Sequence, residues 1–143
     1  MDYQLSNEYV AGFFDGEGCV LIRKVGGRAG YYKSHIVAAV LGQTNLPILE
    51  ALRERWGGSV RSRKGTTKPF WEWQIVGPPA VNFLVELLPH LKLKQEQAQL
   101  AVDFRQVLAR TRPASGTRLS EEGYLEREAW ARRLVQLRKP IDN

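Results

Sequence analysis

Cysteine is almost missing from this sequence. Cys19 is alone among 143 residues, so no internal disulfide can form, and a reducing compartment suits the chain. Histidine is nearly as scarce. His35 and His90 are the only two, too few and too isolated for a zinc site. No apolar run approaches the roughly 20 residues that a membrane-spanning helix needs. The opening Met1-Asp2-Tyr3-Gln4 has neither the basic start nor the apolar stretch of a secretory leader. No segment repeats within the chain. These absences predict a protein of the cell interior, in cytoplasm or organelle, without a membrane or small-molecule partner. The length suits one domain spanning 1–143.

Positive charge is what the sequence has in excess. Lysine and arginine total 21 against 15 acids, a formal net charge of +6. A basic domain of this size attracts polyanions by releasing their counterions. Many basic proteins bind no nucleic acid, so charge narrows the classes without choosing one.

Apolar spacing and turn residues predict the elements. Ser6 or Asn7 caps a short helix through Glu8–Phe14, which Gly16 and Gly18 stop. Cys19–Val25 is β-rich, Gly26–Gly30 is a loop, and Tyr31–Leu41 is the returning strand. Leu46–Trp56 has helical spacing and ends at Gly57-Gly58. Ser59–Lys64 and Phe70–Val76 form a second hairpin around Gly65-Thr66-Thr67-Lys68-Pro69. Ala80–Leu88 reads as a buried helix and Gln95–Arg110 as an amphipathic one. Leu119–Lys139 is the last helix, acidic early, basic late, and closed by Pro140. The core is expected over about 7–110, with a helical extension over about 119–139.

The segment most loaded with chemistry is Val10-Ala11-Gly12-Phe13-Phe14-Asp15-Gly16-Glu17-Gly18. Ala11 and Gly12 are small enough for two copies of the helix to approach closely. Phe13 and Phe14 are core anchors. Asp15 and Glu17 place two carboxylates where a helix end already carries unpaired carbonyls and partial negative charge. Such an oxygen-rich end suits Mg²⁺. Asp and Gly are also ordinary residues for a turn after a helix.

This stretch resembles the nine-residue motif of the LAGLIDADG homing endonucleases. The stretch Leu91-Lys92-Leu93-Lys94-Gln95-Glu96-Gln97 resembles a second family segment, which carries an active-site lysine. The resemblance implies an α+β fold of αββαββα order, with an antiparallel DNA-binding sheet and additional C-terminal helices. It implies Mg²⁺ held by Glu17 and the Gly16 carbonyl, and catalytic roles for Glu17, Gln43 and Lys94. It also places Ala11, Gly12 and Asp15 at the seam of a homodimer, since one motif copy per chain calls for two chains. Glu17 departs from the aspartate of the name motif, yet a carboxylate one methylene longer keeps both oxygens. The implied activity is a double-strand break in a long, nearly palindromic DNA site. Such enzymes are encoded within introns or inteins.

The family lays its sheet in the DNA major groove, where base edges carry a unique code. Alternation then divides the strand residues. Val20 and Ile22 fall on one face and Arg23 on the other. Val60 inward puts Arg61 and Arg63 outward, and Trp71 and Trp73 inward leave Glu72 and Gln74 for bases. Arg28, Lys33, Lys64 and Lys68 sit at hairpin tips, placed to touch phosphate, which positions without specifying. Tyr32 and Ser34 are the candidates near the start of the second strand, which is otherwise apolar on both faces.

Other classes fit less well. A family member that binds DNA or RNA without cutting needs no acid beside phosphate. His-Asn-His nucleases need more histidines, and no acid lies two residues before a lysine as the PD-(D/E)xK type requires. A basic interaction domain with no catalysis predicts that changing Glu17 has no effect.

Overall fold

The structure, a computed structural model, describes residues 4–65 and 67–139. The expected stop at Pro140 and the Thr66 position of the second hairpin loop lie outside these.

The first helix, α1 (Asn7–Glu17), begins where the Ser6 hydroxyl accepts the Tyr9 N–H at 3.1 Å. It does not stop near Phe14 as its glycines suggested. It runs through Gly16 and Glu17, and the Gly18 N–H closes it on the Phe14 carbonyl. Gly16 is in open space, whereas a Cβ on Gly18 would fall 2.2 Å from the Phe14 ring. Gly18 is thus the position where the chain must pass an aromatic ring to enter the sheet.

Strand β1 (Gly18–Val25) pairs antiparallel with β2 (Ser34–Gln43). β2 starts three residues later than expected because Tyr31 and Tyr32 are used by the loop. Arg28 and Arg118 each lie over the Tyr31 ring, at 4.4 and 4.5 Å. Tyr32 stacks on Tyr124 at 4.7 Å.

Helix α2 (Leu46–Trp56) is capped by Asn45, whose side chain accepts the Ile48 N–H. Strands β3 (Ser59–Ser62) and β4 (Trp71–Val76) form the second hairpin, β3 shorter than expected. Helix α3 (Pro78–Leu87) includes both prolines rather than following them. The first turn of a helix has N–H groups without helical partners, so losing them to proline is cheap there. Helices α4 (Gln95–Thr111) and α5 (Glu121–Arg138, capped by Ser120) complete the described chain.

The sheet order is β1-β2-β4-β3, all antiparallel. One face carries Val20, Val37, Ala39, Leu41, Trp73 and Ile75, all buried under the helices. Phe83 of α3 is the hub, edge-on to Trp73 and Trp56 at 5.0 Å each and to Phe14 at 5.5 Å. Rings in this geometry add to the area they bury. Trp73 also donates its indole N–H to the Gly57 carbonyl at 2.9 Å, which fixes the end of α2 against β4.

Helix α5 is fastened to the start of β2 by polar contacts. Buried His35 bonds Glu128 through Nε2 at 2.7 Å, and Lys24 pairs with the same carboxylate at 3.7 Å. Buried Arg127 donates to the Thr111 hydroxyl at 2.8 Å and to the Ser34 hydroxyl at 3.4 Å. Burial, and then the neighbouring Arg112 charge, lower the Arg127 pKa from its ordinary value. Among the described residues, no helix is long and apolar enough to cross a membrane.

Candidate active site and nucleic-acid interface

Glu17 ends α1 with its side chain exposed, and Gly16 before it has nothing within 4 Å of where a Cβ would stand. The β1–β2 register pairs Gly18 with Leu41. Gln43 therefore lies just past the last paired residue of β1, alongside the α1–β1 junction, and it shares the helix-side parity of Leu41. Its amide oxygen accepts from the Thr44 N–H at 2.8 Å and the Thr44 hydroxyl at 3.0 Å. Lys94 comes to the same junction from the far end of the sequence, its ammonium 2.5 Å from the Asp15 carbonyl. The last turn of α1 has no basic residue of its own. Lys94 supplies the cation that a helix C-terminus favours.

Asp15 behaves differently from Glu17. It is buried, and its carboxylate accepts three consecutive backbone N–H groups, from Lys92 at 2.8 Å, Leu93 at 3.1 Å and Lys94 at 3.0 Å. Sequence reading placed it at a dimer seam; the structure puts it inside its own chain, 77 to 79 residues from the groups it binds. No local pattern marks such a contact.

A metal at this junction would find hard oxygen donors only: the free Glu17 carboxylate and the carbonyls that end α1, Gly16 among them. That donor set fits Mg²⁺, which keeps several waters and takes one or two carboxylates together with phosphate. Among the described residues, no three His, Cys, Asp or Glu side chains gather into a metal cluster.

The sheet face away from the helices carries the side chains that alternation assigned to it. Arg23 and Gln74 meet there, Nη1 to Oε1, at 2.7 Å. Arg61 pairs with Glu72 at 3.5 Å, across directly opposed positions of β3 and β4. The Arg63 guanidinium lies 5.7 Å over the Phe70 ring. Arg61, Arg63, Lys64 and Glu72 line one recess. Of the remaining candidates, Arg28, Lys33 and Lys68 are exposed in the hairpin loops. Tyr32 and Ser34 are engaged with α5 through Tyr124 and Arg127. Sequence reading did not foresee Arg138, which brings a guanidinium from α5 to within 3.3 Å of the Cys19 sulfur on β1.

On α1, Ala11 is buried within its own chain. Gly12 is exposed with open space before it, one turn from Gly16, and Tyr9 beside it is 54% exposed. The open stripe of the motif helix is therefore Glu8, Tyr9, Gly12 and Gly16.

Comparison with solved structures places this fold among the LAGLIDADG homing endonucleases. The family model described as LAGLIDADG endonuclease matches residues 10–108, and the chain belongs to that family. A crystal structure of the homing endonuclease I-CvuI, bound to the I-CreI target with Mg and uncleaved DNA, is 26% identical with a TM-score of 0.76. The match covers 96% of this chain and 84% of that one. The homing endonuclease I-TnaI is 22% identical with a TM-score of 0.68, over 94% of this chain and 97% of its own. The meganuclease I-AabMI, bound to uncleaved DNA, is 17% identical with a TM-score of 0.67, over 90% of this chain but 46% of its own. A search of curated proteins returned no match.

Proposed function

We propose that this chain is a site-specific homing endonuclease that cuts both strands of a long, nearly palindromic DNA site as a Mg²⁺-dependent homodimer. The observation that supports the reading is the α1–β1 junction, where Glu17 is exposed, Lys94 bonds the Asp15 carbonyl two residues before it, and the β1–β2 register brings Gln43 alongside.

Each residue has a role suited to its chemistry. Glu17 and the Gly16 carbonyl hold the metal, which when bound polarises a phosphate oxygen and lowers the pKa of a bound water. Gln43 orients the attacking water through its side-chain amide. Lys94 offers a fixed positive charge to the phosphate as negative charge develops in the transition state. Asp15 is spent on backbone N–H groups and takes no part in metal binding.

The second copy is supported by the donor count at this junction and by the open stripe of α1. One protomer supplies a single free carboxylate, and the open stripe at Gly12 and Gly16 lets a second α1 approach closely. I-AabMI shares this fold in a chain of which the match covers only 46%, as expected if two such units are joined there. A two-fold assembly reads an inverted repeat.

Bases are read from the open sheet face by Arg23, Arg61, Glu72 and Gln74. Arg28, Lys33, Arg63 and Lys68 set the register on phosphate.

The test is incubation of purified protein and Mg²⁺ with duplex DNA from the gene's own locus, with the inserted element removed, beside Glu17→Gln. A Mg²⁺-dependent double-strand cut that Glu17→Gln abolishes is the expected result. Tight binding with no cut by either protein would replace the endonuclease by a binding protein, acting in splicing or regulation.

A further inference from the structure

We infer that Asp15 is a positioning residue that holds Lys94 by both its backbone and its ammonium group, and so sets the spacing between lysine and Glu17. The inference rests on the endonuclease reading for what Lys94 does, but not for where Lys94 is.

Three observations converge on it. The Asp15 carboxylate gathers the N–H groups of Lys92, Leu93 and Lys94 in an arc, two on Oδ1 and one on Oδ2. The Asp15 carbonyl receives the Lys94 ammonium. Lys94 is also the N-cap of α4, and that cap has no side-chain hydrogen bond of its own. Asp15 therefore ties the turn that leads into α4 to another helix, at residues 92 to 94, ahead of the N–H groups that a local cap would take. A carboxylate that accepts several backbone N–H groups makes strong, directional bonds.

The consequence is geometric. Asp15 and Glu17 are two residues apart on one rigid helical turn. Lys94 is fixed to Asp15 at its amide and at its tip, while the intervening side chain spans the gap. The Lys94 backbone cannot shift relative to Glu17 unless the arc opens. Leu93, 75% exposed, shows that this turn has no apolar anchor at its centre. The carboxylate contacts take that place.

Asp15→Asn keeps the size but turns one acceptor oxygen into a donor that repels N–H groups. Two readouts test the idea. In the first, hydrogen exchange at the amides of Lys92, Leu93 and Lys94 is slow in the native protein and fast in Asp15→Ala, which removes both acceptor oxygens, with or without DNA. In the second, single-turnover cleavage falls on the order of 100-fold, the loss that follows a small misplacement of a reacting group, while DNA affinity is unchanged. Adding Asp15→Asn to Lys94→Ala lowers the rate no further, because both act through one lysine. Asp15→Glu keeps the charge and displaces the arc, and it loses cleavage in the same way should Asp15→Asn not fold. Unchanged amide exchange in Asp15→Ala, or additive losses with Lys94→Ala, overturns the inference. If the native protein never cuts, the endonuclease reading fails, and the amide readout still decides whether Asp15 holds Lys94.

Discussion

Arg23 and Gln74 form one unit on the open face of the sheet: Arg23 Nη1 donates to Gln74 Oε1 at 2.7 Å across 51 residues of sequence. Arg23 pairs in register with Ile36 and Gln74 with Val40, so the two side chains reach toward each other over Ala38. Ala38 points to this otherwise open face and is nonetheless fully buried. A small residue at that place makes room for the pair. Gln74 occupies one guanidinium nitrogen and leaves the rest of the fork for the base edge proposed above.

It follows that Gln74→Ala should weaken discrimination at the base pair Arg23 reads, by about 1–3 kcal/mol. Competition binding over duplexes changed one base pair at a time gives the measurement. Arg23→Ala and Gln74→Ala should act at the same position and fall short of additivity. Separate losses at two positions would mean that each residue reads alone.

The open stripe of α1 gives a prediction about assembly. Nothing stands within 4 Å of a Cβ on Gly12, so Gly12→Leu leaves the fold of one chain intact. Across a two-fold seam the added bulk meets its own copy, costing about 1–3 kcal/mol per overpacked side chain. Sedimentation equilibrium should show a shift to monomer with an unchanged far-ultraviolet spectrum. A dimer as tight as before would place the seam elsewhere.

Acid sensitivity should come in part from Glu128. Its hydrogen bond to His35 lowers its pKa most, with Lys24 adding to the effect and burial opposing it. The folded value therefore lies below the unfolded one. The stabilisation is present above the ordinary carboxylate range and disappears as pH falls through the depressed folded value. Glu128→Gln should cost about 1.5–3 kcal/mol at neutral pH, the worth of a hydrogen bond to a charged group. Thermal melts as a function of pH should show a flatter acid limb in the variant. Equal acid limbs would remove Glu128 from the account.

Gly58 has φ +90°, and a Cβ there would sit 2.3 Å from the Gln74 carbonyl oxygen. Gly58→Ala should destabilise by about 2–5 kcal/mol, combining left-handed strain with a backbone clash. Urea unfolding measures it. A loss under 1 kcal/mol, roughly that of a tolerated surface change, would mean that β3 and β4 can move apart at little cost.

The parts of this molecule that sequence made legible are those with a short-range signature. Alternation in Trp71–Val76 told the helix face from the open face, and Trp73 and Gln74 lie as it required. Apolar spacing and Gly57-Gly58 located α2, and the loop residues between Ser59–Lys64 and Phe70–Val76 located the second hairpin. The end of α1 was misjudged because glycine signals a stop by frequency, whereas Gly16 is an unstrained helical residue and Gly18 serves the Phe14 ring. The start of β2 was misjudged because Tyr31 and Tyr32 have strand propensity but find ring partners at Arg118 and Tyr124. Of the candidate site, Glu17 and Lys94 were named through motifs. The bond network that joins them runs through Asp15, and a contact across 77 residues leaves no trace in local pattern.

The loop between β1 and β2 is held before any DNA arrives. Arg118 donates to the Gly30 carbonyl at 3.0 Å and covers Tyr31, while Tyr32 rests on Tyr124. A hairpin tip that had to order itself on the duplex would lose conformational entropy in every encounter. Here that loss is met during folding, by side chains from the segment leading into α5 and from α5 itself. For the DNA binding proposed above, the C-terminal region, remote from Glu17 in sequence, would thereby bear part of the cost of seating the sheet.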